Sequence, residues 1–220
     1  NRVDAGQVYV IFGRKVTSTA NAFTDIDLLN MVTSSTTGYR IQGPAGGSQI
    51  GNAVRVAGDV NGDGLSDIVI GSIATSTAYV VFGRVGVSDL DLSTIATGAT
   101  RGFRILGASS TDNTGSAVSG AGDVNGDGID DILIGASGAT VGGQQFAGVV
   151  YVLFGNRTAI STPRFDVNLA TIVTGPTTGF RILGIKLNDY TGSAVSRAGD
   201  VNGDGIDDFL LGLSYGNQYG

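Results

Sequence analysis

The string Gly-Asp-Val-Asn-Gly-Asp-Gly occurs three times in this chain of 220 residues, at positions 58–64, 122–128 and 199–205. Such a recurrence restricts the fold before any other property does, because a unit repeated every few tens of residues is one supersecondary module that buries its apolar face against its neighbours. Two further blocks recur in constant order. Tyr-Val-x-Phe-Gly stands at 9–13, 79–83 and 151–155, and Gly-(Tyr/Phe)-Arg-Ile-x-Gly at 38–43, 102–107 and 179–184. From the last glycine of that block to the first aspartate of the acidic string the step is 16 residues in every copy: Gly43 to Asp59, Gly107 to Asp123, Gly184 to Asp200. Those aspartates are 64 and then 77 residues apart, and the extra length falls between Asp131 and Tyr151 and between Gly155 and Gly179. Segments that absorb insertions in this way are surface loops.

Each unit reads as four short strands: Gly-Ser-Ala-Val-Ser before the acidic loop, Asp-Ile-Leu-Ile-Gly after it, then Val-Tyr-Val-Leu-Phe and Phe-Arg-Ile-Leu. They are rich in β-branched and aromatic residues and bounded by glycine, of which the chain has 37 against three prolines. Helical spacing is weak and confined to 23–32 and the surroundings of Ile95, where a short turn is expected between third and fourth strands. Four-strand sets that recur whole suit the blades of a β-propeller better than the single Greek key of a sandwich. The expected fold is therefore all-β: about three propeller blades of four antiparallel strands, spanning 1–220. Residues 5–13 align with 147–155, while the chain reaches 213–220 where a third strand is due. A split blade is expected, shared between 185–220 and the strand at 5–13. Three blades are too few for a ring, so the chain is either part of a longer array or one of several copies that complete each other's split blade, as in a two-chain, six-blade ring.

Composition narrows the function classes. Asp and Glu outnumber Lys and Arg 19 to 13, for a formal charge of −6, which argues against a nucleic-acid partner. Without His or Cys, a His-dependent triad, disulfides and thiolate chemistry are excluded, and zinc and haem sites lose their usual ligands. No apolar run approaches the roughly 18–20 residues of a membrane-spanning helix, so membrane insertion is not expected. The chain is read as a binding protein rather than an enzyme.

The acidic string carries the chemistry. Counted from its first aspartate, positions 1, 3, 5 and 9 bear side-chain oxygen: Asp59, Asn61, Asp63 and Asp67; Asp123, Asn125, Asp127 and Asp131; Asp200, Asn202, Asp204 and Asp208. Position 7 offers a backbone carbonyl, from Leu65, Ile129 and Ile206, and glycine at position 6 permits the sharp reversal. Hard oxygen donors without nitrogen or sulfur select Ca²⁺, and Mg²⁺ suits them less because it demands strict octahedral geometry. Three Ca²⁺ sites are expected. Three carboxylates drawn together repel one another by roughly several kcal/mol at intermediate dielectric, a cost that a divalent cation removes. An EF-hand is excluded, since its position 12 needs Glu and these loops carry Ile70, Ile134 and Leu211 there.

With the acidic string between two strands and a Phe-Gly block (Phe12-Gly13, Phe82-Gly83, Phe154-Gly155), the chain resembles the FG-GAP repeats of integrin α-subunit propellers and their bacterial relatives. It departs from them where Gly71-Ser72, Gly135-Ala136 and Gly212-Leu213 replace the Gly-Ala-Pro segment. The resemblance implies calcium on one face and ligand on the other, at loops 72–77, 108–114, 138–146 and 186–191. Asp112, Gln144, Gln145, Phe146, Asp189 and Tyr190 are the candidate contacts. It further implies an extracellular or cell-surface adhesion module with a protein or glycan ligand. The alternatives are a self-assembling structural repeat and a domain of a secreted hydrolase or lyase. Arg40, Arg104 and Arg181, once per repeat, are expected to neutralise neighbouring aspartates.

Overall fold

The computed structural model describes residues 2–17, 25–86, 88–97, 100–157, 166–172 and 174–216. Its strands are β1 Gln7–Ile11, β2 Gly38–Gln42, β3 Ala53–Gly58, β4 Asp67–Ser72, β5 Thr77–Val81, β6 Leu90–Asp91, β7 Gly102–Leu106, β8 Thr114–Gly122, β9 Asp131–Ala136, β10 Val149–Leu153, β11 Val167–Asn168, β12 Gly179–Leu183, β13 Thr191–Gly199 and β14 Asp208–Leu213. Two antiparallel blades are complete, β3-β4-β5-β7 and β8-β9-β10-β12. A half-blade, β1-β2, precedes them and another, β13-β14, follows. The four-strand unit is thus as expected. β1 and β14 belong to different sheets.

Apolar runs become strands because each blade is covered on both faces. The second and third strands, β4, β5, β9 and β10, are buried almost throughout, as near-continuous Val/Ile/Leu runs should be when no face meets water. The core lies in layers between successive blades. One layer joins Val80, Phe103 and Ile105 to Val118, Ile134 and Tyr151. A second sets Val8, Tyr39 and Ile41 against Ile70, Tyr79 and Leu90. The third carries Leu133, Val150 and Phe154 onto Val195, Phe209 and Leu211.

The connections between third and fourth strands hold a feature that the repeat blocks did not disclose. In the two complete blades this connection reaches back to the preceding blade and lays a two-residue parallel strand on its outer edge. Leu90 and Asp91 of β6 pair with Ile41 and Gln42 of β2, and Val167 and Asn168 of β11 pair with Ile105 and Leu106 of β7. Both straps turn away through the same device: Asp91 Oδ1 accepts the Ser93 amide at 2.9 Å, and Asn168 Oδ1 accepts the Ala170 amide at 2.9 Å. Behind the turn, Leu92 and Leu169 are buried. The residue before each strap is an aspartate clasped by the outer strand. Asp89 accepts from the Arg40 backbone amide and Nε, both at 2.9 Å, and Asp166 accepts from Nε of Arg104 at 3.1 Å and from Nη2. Arg40 and Arg104 therefore neutralise aspartates as expected; no such partner for Arg181 occurs among the described residues. The turn expected near Ile95 is the 3₁₀ segment Leu92–Thr97. In the 23–32 stretch, residues 28–30 form a turn, and 23 and 24 lie outside the described residues.

Burial predicts unequal sensitivity along the straps. Leu169→Ala, at a site 2% exposed, should cost about 2–5 kcal/mol. Leu28→Ala, at the corresponding site, 46% exposed, should cost under about 1 kcal/mol; urea unfolding of the two variants checks the contrast. The first strap is also anchored by Arg2, whose hydrogen bond lowers the Asp91 carboxyl to about 2. A depressed carboxyl contributes stability above its unfolded value near 3.9 and loses it as pH falls through the folded value. Acid should therefore loosen this strap between about pH 4 and 2, and Arg2→Ala should return the Asp91 titration, followed by NMR, toward the ordinary range.

Candidate metal-binding loops

The three acidic loops are hairpin turns between first and second strands: β3 to β4, β8 to β9 and β13 to β14. All three fold on one hydrogen-bond scaffold. The position-1 aspartate turns inward and accepts from three amides of its own loop. Asp59 Oδ1 takes Gly62 at 2.7 Å and Asp63 at 3.0 Å, while Oδ2 takes Gly64 at 2.8 Å. Asp123 and Asp200 repeat the pattern. The asparagine carbonyl of position 3 (Asn61, Asn125, Asn202) accepts the amide of position 5, and the carboxylate of position 5 (Asp63, Asp127, Asp204) accepts that of position 7. Leu65, Ile129 and Ile206 thus donate through nitrogen. Ile129 is buried, whereas Leu65 and Ile206 are exposed.

Position 9 does something different. Asp67 and Asp131 are both fully buried. Asp67 Oδ2 accepts the Val60 amide at 3.0 Å, and Oδ1 accepts the Gly83 amide at 2.7 Å, so one carboxylate ties the loop's start to the Phe-Gly block at the end of β5. Asp131 links Val124 and Gly155 at 3.0 and 2.9 Å. The glycine of the Phe-Gly pair follows from that contact: a Cβ at Gly83 would lie 2.7 Å from the Leu65 Cβ, and one at Gly155 would lie 2.4 Å from Ile129 Cγ2. Burial raises Asp67 to about 7 and Asp131 to about 6, with the other two loop aspartates adding to the rise and the two amides opposing it. Asp208 accepts from Val201 at 2.8 Å and is partly exposed.

Sequence reasoning passed over position 8. Asp130 Oδ2 accepts the Asp59 amide of the preceding loop at 2.8 Å, and Asp207 Oδ2 accepts the Asp123 amide at 3.0 Å. Adjacent loops are therefore linked edge to edge, and Arg197 holds Asp207 at 2.8 Å. The signal was the doubled Asp130-Asp131 and Asp207-Asp208, beside Ser66-Asp67 in the first loop. The same contact accounts for the glycine before each loop. A Cβ at Gly58 would lie 2.4 Å from the Asp130 carboxylate, and one at Gly122 would lie 2.2 Å from Asp207, whereas Gly199 has open space.

The loops bring twelve side-chain oxygen positions into three equivalent turns, but among the described residues no three acidic side chains already converge as a metal-holding group. The carboxylates face their own amides. The donor set still suits a hard cation: Oδ2 of Asp59, Asp123 and Asp200 accepts one loop amide and keeps a second lone pair, and no imidazole or thiolate stands in the turn.

On the opposite ends of the strands, the loops implied as a ligand surface divide. Asp112 and Asp189 are buried and accept the Ser109 and Lys186 amides, so they shape their loops and do not face solvent. This corrects the expectation that they are contacts. Gln144, Gln145 and Phe146 are exposed. Phe146 stacks on Tyr190 with centroids 5.5 Å apart, and Tyr190 meets Tyr215 at 5.6 Å.

The FG-GAP repeat family matches residues 114–153, the span from the start of β8 to the end of β10. Over 200 residues, 85% of this chain, the sequence is 30% identical to phosphatidylinositol-glycan-specific phospholipase D of Bos taurus, of which it spans 21%. It is 32% identical over 107 residues to integrin alpha-2 of Bos taurus, covering 46% of this chain and 9% of that protein. Against integrin alpha-PS2 of Drosophila melanogaster it is 30% identical over 175 residues, 75% of this chain and 10% of the relative.

The loop contacts predict a graded response to one substitution. Alanine at Gly122 or Gly199 carries left-handed strain of about 1–2 kcal/mol, since φ is +78° and +72° there. Gly122→Ala also collides with Asp207 and should lose roughly 1–3 kcal/mol more, measured by chemical denaturation.

Proposed function

For a chain that belongs with the FG-GAP repeat, integrin-α-like propellers, we propose a calcium-binding adhesion module of the extracellular space or cell surface, whose ions are structural. The observation that carries the calcium reading is the buried aspartate at position 9, close enough to two further loop aspartates to feel their charge. A charge so placed needs either a proton or a counter-ion. A cation held by Asp123, Asn125, Asp127, Asp131 and the Ile129 carbonyl, and by the equivalent groups of the other two loops, supplies that counter-charge and ties first strand to second. Three such ions would offset the formal −6.

The adhesive reading rests on the opposite face. Gln144, Gln145 and Phe146 project there from the long connection between β9 and β10, beside the Tyr190 and Tyr215 rings. Flat aromatic groups with amides nearby suit a protein or glycan surface. The absence of His and Cys from the sequence, together with loop aspartates engaged by backbone amides, favours binding over catalysis. Among the described residues no helix is long and apolar enough to cross a membrane.

Calorimetric titration of the metal-free protein with Ca²⁺ should give three sites, and Asp127→Ala should leave two. Saturation at 100 times Kd should stabilise the fold by about 2.7 kcal/mol per independent site, seen as a higher melting temperature that a chelator reverses. A melting temperature indifferent to both additions removes the calcium reading. Binding of the calcium-loaded chain to a glycan and matrix-protein array, lost on replacing Gln144, Gln145 and Phe146 by alanine, tests the ligand face.

A further inference from the structure

Positions 7 and 8 of the second and third acidic loops grip the loop before them. Asp130 makes two hydrogen bonds to one residue of the first loop: its amide donates to the Asp59 carbonyl at 3.2 Å, and its Oδ2 accepts the Asp59 amide at 2.8 Å. Asp207 repeats both bonds on Asp123, at 3.3 and 3.0 Å. The position-7 side chain lies against the glycine at position 4, since a Cβ at Gly62 would stand 3.0 Å from Ile129 Cδ1 and one at Gly126 would stand 3.0 Å from Ile206 Cδ1. Those two glycines donate their amides to Asp59 and Asp123 at 2.7 Å. The grip therefore closes on position 1 and on the turn that position 1 holds.

The gripping residue also sits inside its own loop's donor set. Position 8 is flanked by the position-7 carbonyl and the position-9 carboxylate, and both belong to the set proposed for the cation. A cation that draws the Ile129 carbonyl and the Asp131 carboxylate to one point fixes the single residue between them, which is Asp130. Asp130 in turn fixes the amide and the carbonyl of Asp59, whose carboxylate is position 1 of the neighbouring loop. Asp207 stands in the same relation to Asp123, and both gripping residues are half-buried. Order imposed on one loop is thereby passed to a ligand of the next.

We infer, on the calcium reading proposed above, that Asp130 and Asp207 are positioning residues that make calcium binding cooperative between neighbouring loops. An occupied loop holds the position-1 aspartate of the loop before it ready for its own ion. Linkage makes the effect reciprocal, and coupled sites typically shift one another's affinity by roughly 5-fold or more. Bare repulsion between neighbouring divalent ions has the opposite sign, so the direction of the effect tells the two apart.

Calcium titration of the full chain followed by NMR reads each loop separately through the amides of Gly62, Gly126 and Gly203. In the wild type the three should respond together, with a Hill coefficient above 1. Asp127→Ala disables the second loop and should raise the calcium midpoint at Gly62 and at Gly203 roughly 5-fold or more. Asp63→Ala should raise the midpoint at Gly126 in turn. Asp130→Ala removes no proposed ligand, yet it should raise the Gly62 midpoint by a similar factor, and adding Asp127→Ala to it should raise that midpoint little further, as a double-mutant cycle requires of one shared contact. Asp130→Asn, whose carbonyl oxygen can still accept the Asp59 amide, should restore most of the loss. Circular dichroism melting in chelator verifies that each variant is folded. A Gly62 midpoint that Asp127→Ala leaves unchanged or lowers, an effect of Asp127→Ala that persists undiminished beside Asp130→Ala, or an Asp130→Asn variant no better than Asp130→Ala overturns the coupling while leaving the calcium reading in place. Amides that ignore Ca²⁺ altogether remove the calcium reading and the coupling with it.

Discussion

A buried carboxylate with two backbone partners organises each of the two complete blades. Asp67 and Asp131 join the amide that opens the acidic loop to the amide of the glycine that closes the third strand. The contact fixes the spacing between first, second and third strands in one place. It also accounts for the pairing of two motifs that lie far apart in sequence, since the Phe-Gly glycine is where Leu65 or Ile129 comes too close for a side chain. Holding a carboxylate there works against its desolvation, as the raised titration of both groups reflects. The cation proposed for the loop would act on the same penalty, and would thereby couple metal binding to the joining of strands through one side chain.

The blades are then linked to each other by devices that point in one direction along the chain. Position-8 aspartates reach from a later loop to the amide of an earlier one, and straps reach from a later blade to the outer edge of an earlier one. Each blade thus supplies what its predecessor lacks: an acceptor at the loop, a carboxylate for the outer-strand arginine, and a cover for the sheet edge. Stability in such an array is a sum of blades and nearest-neighbour contacts, which is why the half-blades expose apolar side chains that the complete blades bury. Leu210 in the half-blade strand β14 is 61% exposed, whereas the corresponding Leu133 in β9 is buried.

The strand set was legible because glycine-bounded apolar runs recur with constant spacing, and the loop donors were legible because their pattern has a known chemical meaning. Asp112 and Asp189 misled for a physical reason: an aspartate in a polar loop looks available to a ligand, and only the folded chain reveals that it is buried and accepts a neighbouring amide. Asp130 and Asp207 were overlooked for the opposite reason. They fall between ligand positions, and their partner is a backbone amide of another repeat, which leaves no mark in the local pattern.

From the sequence alone came the repeat, its four strands, the acidic turns and their oxygen-only donor set, all properties of short segments whose alternation and turn chemistry are local. Tertiary structure alone decided that the ninth-position aspartate joins two motifs and that the connections inside the two complete blades double back as straps. Those outcomes depend on which segment arrives beside which, and a pairing across 62 residues, as between Arg104 and Asp166, is settled by the packing of blades rather than by anything in either segment.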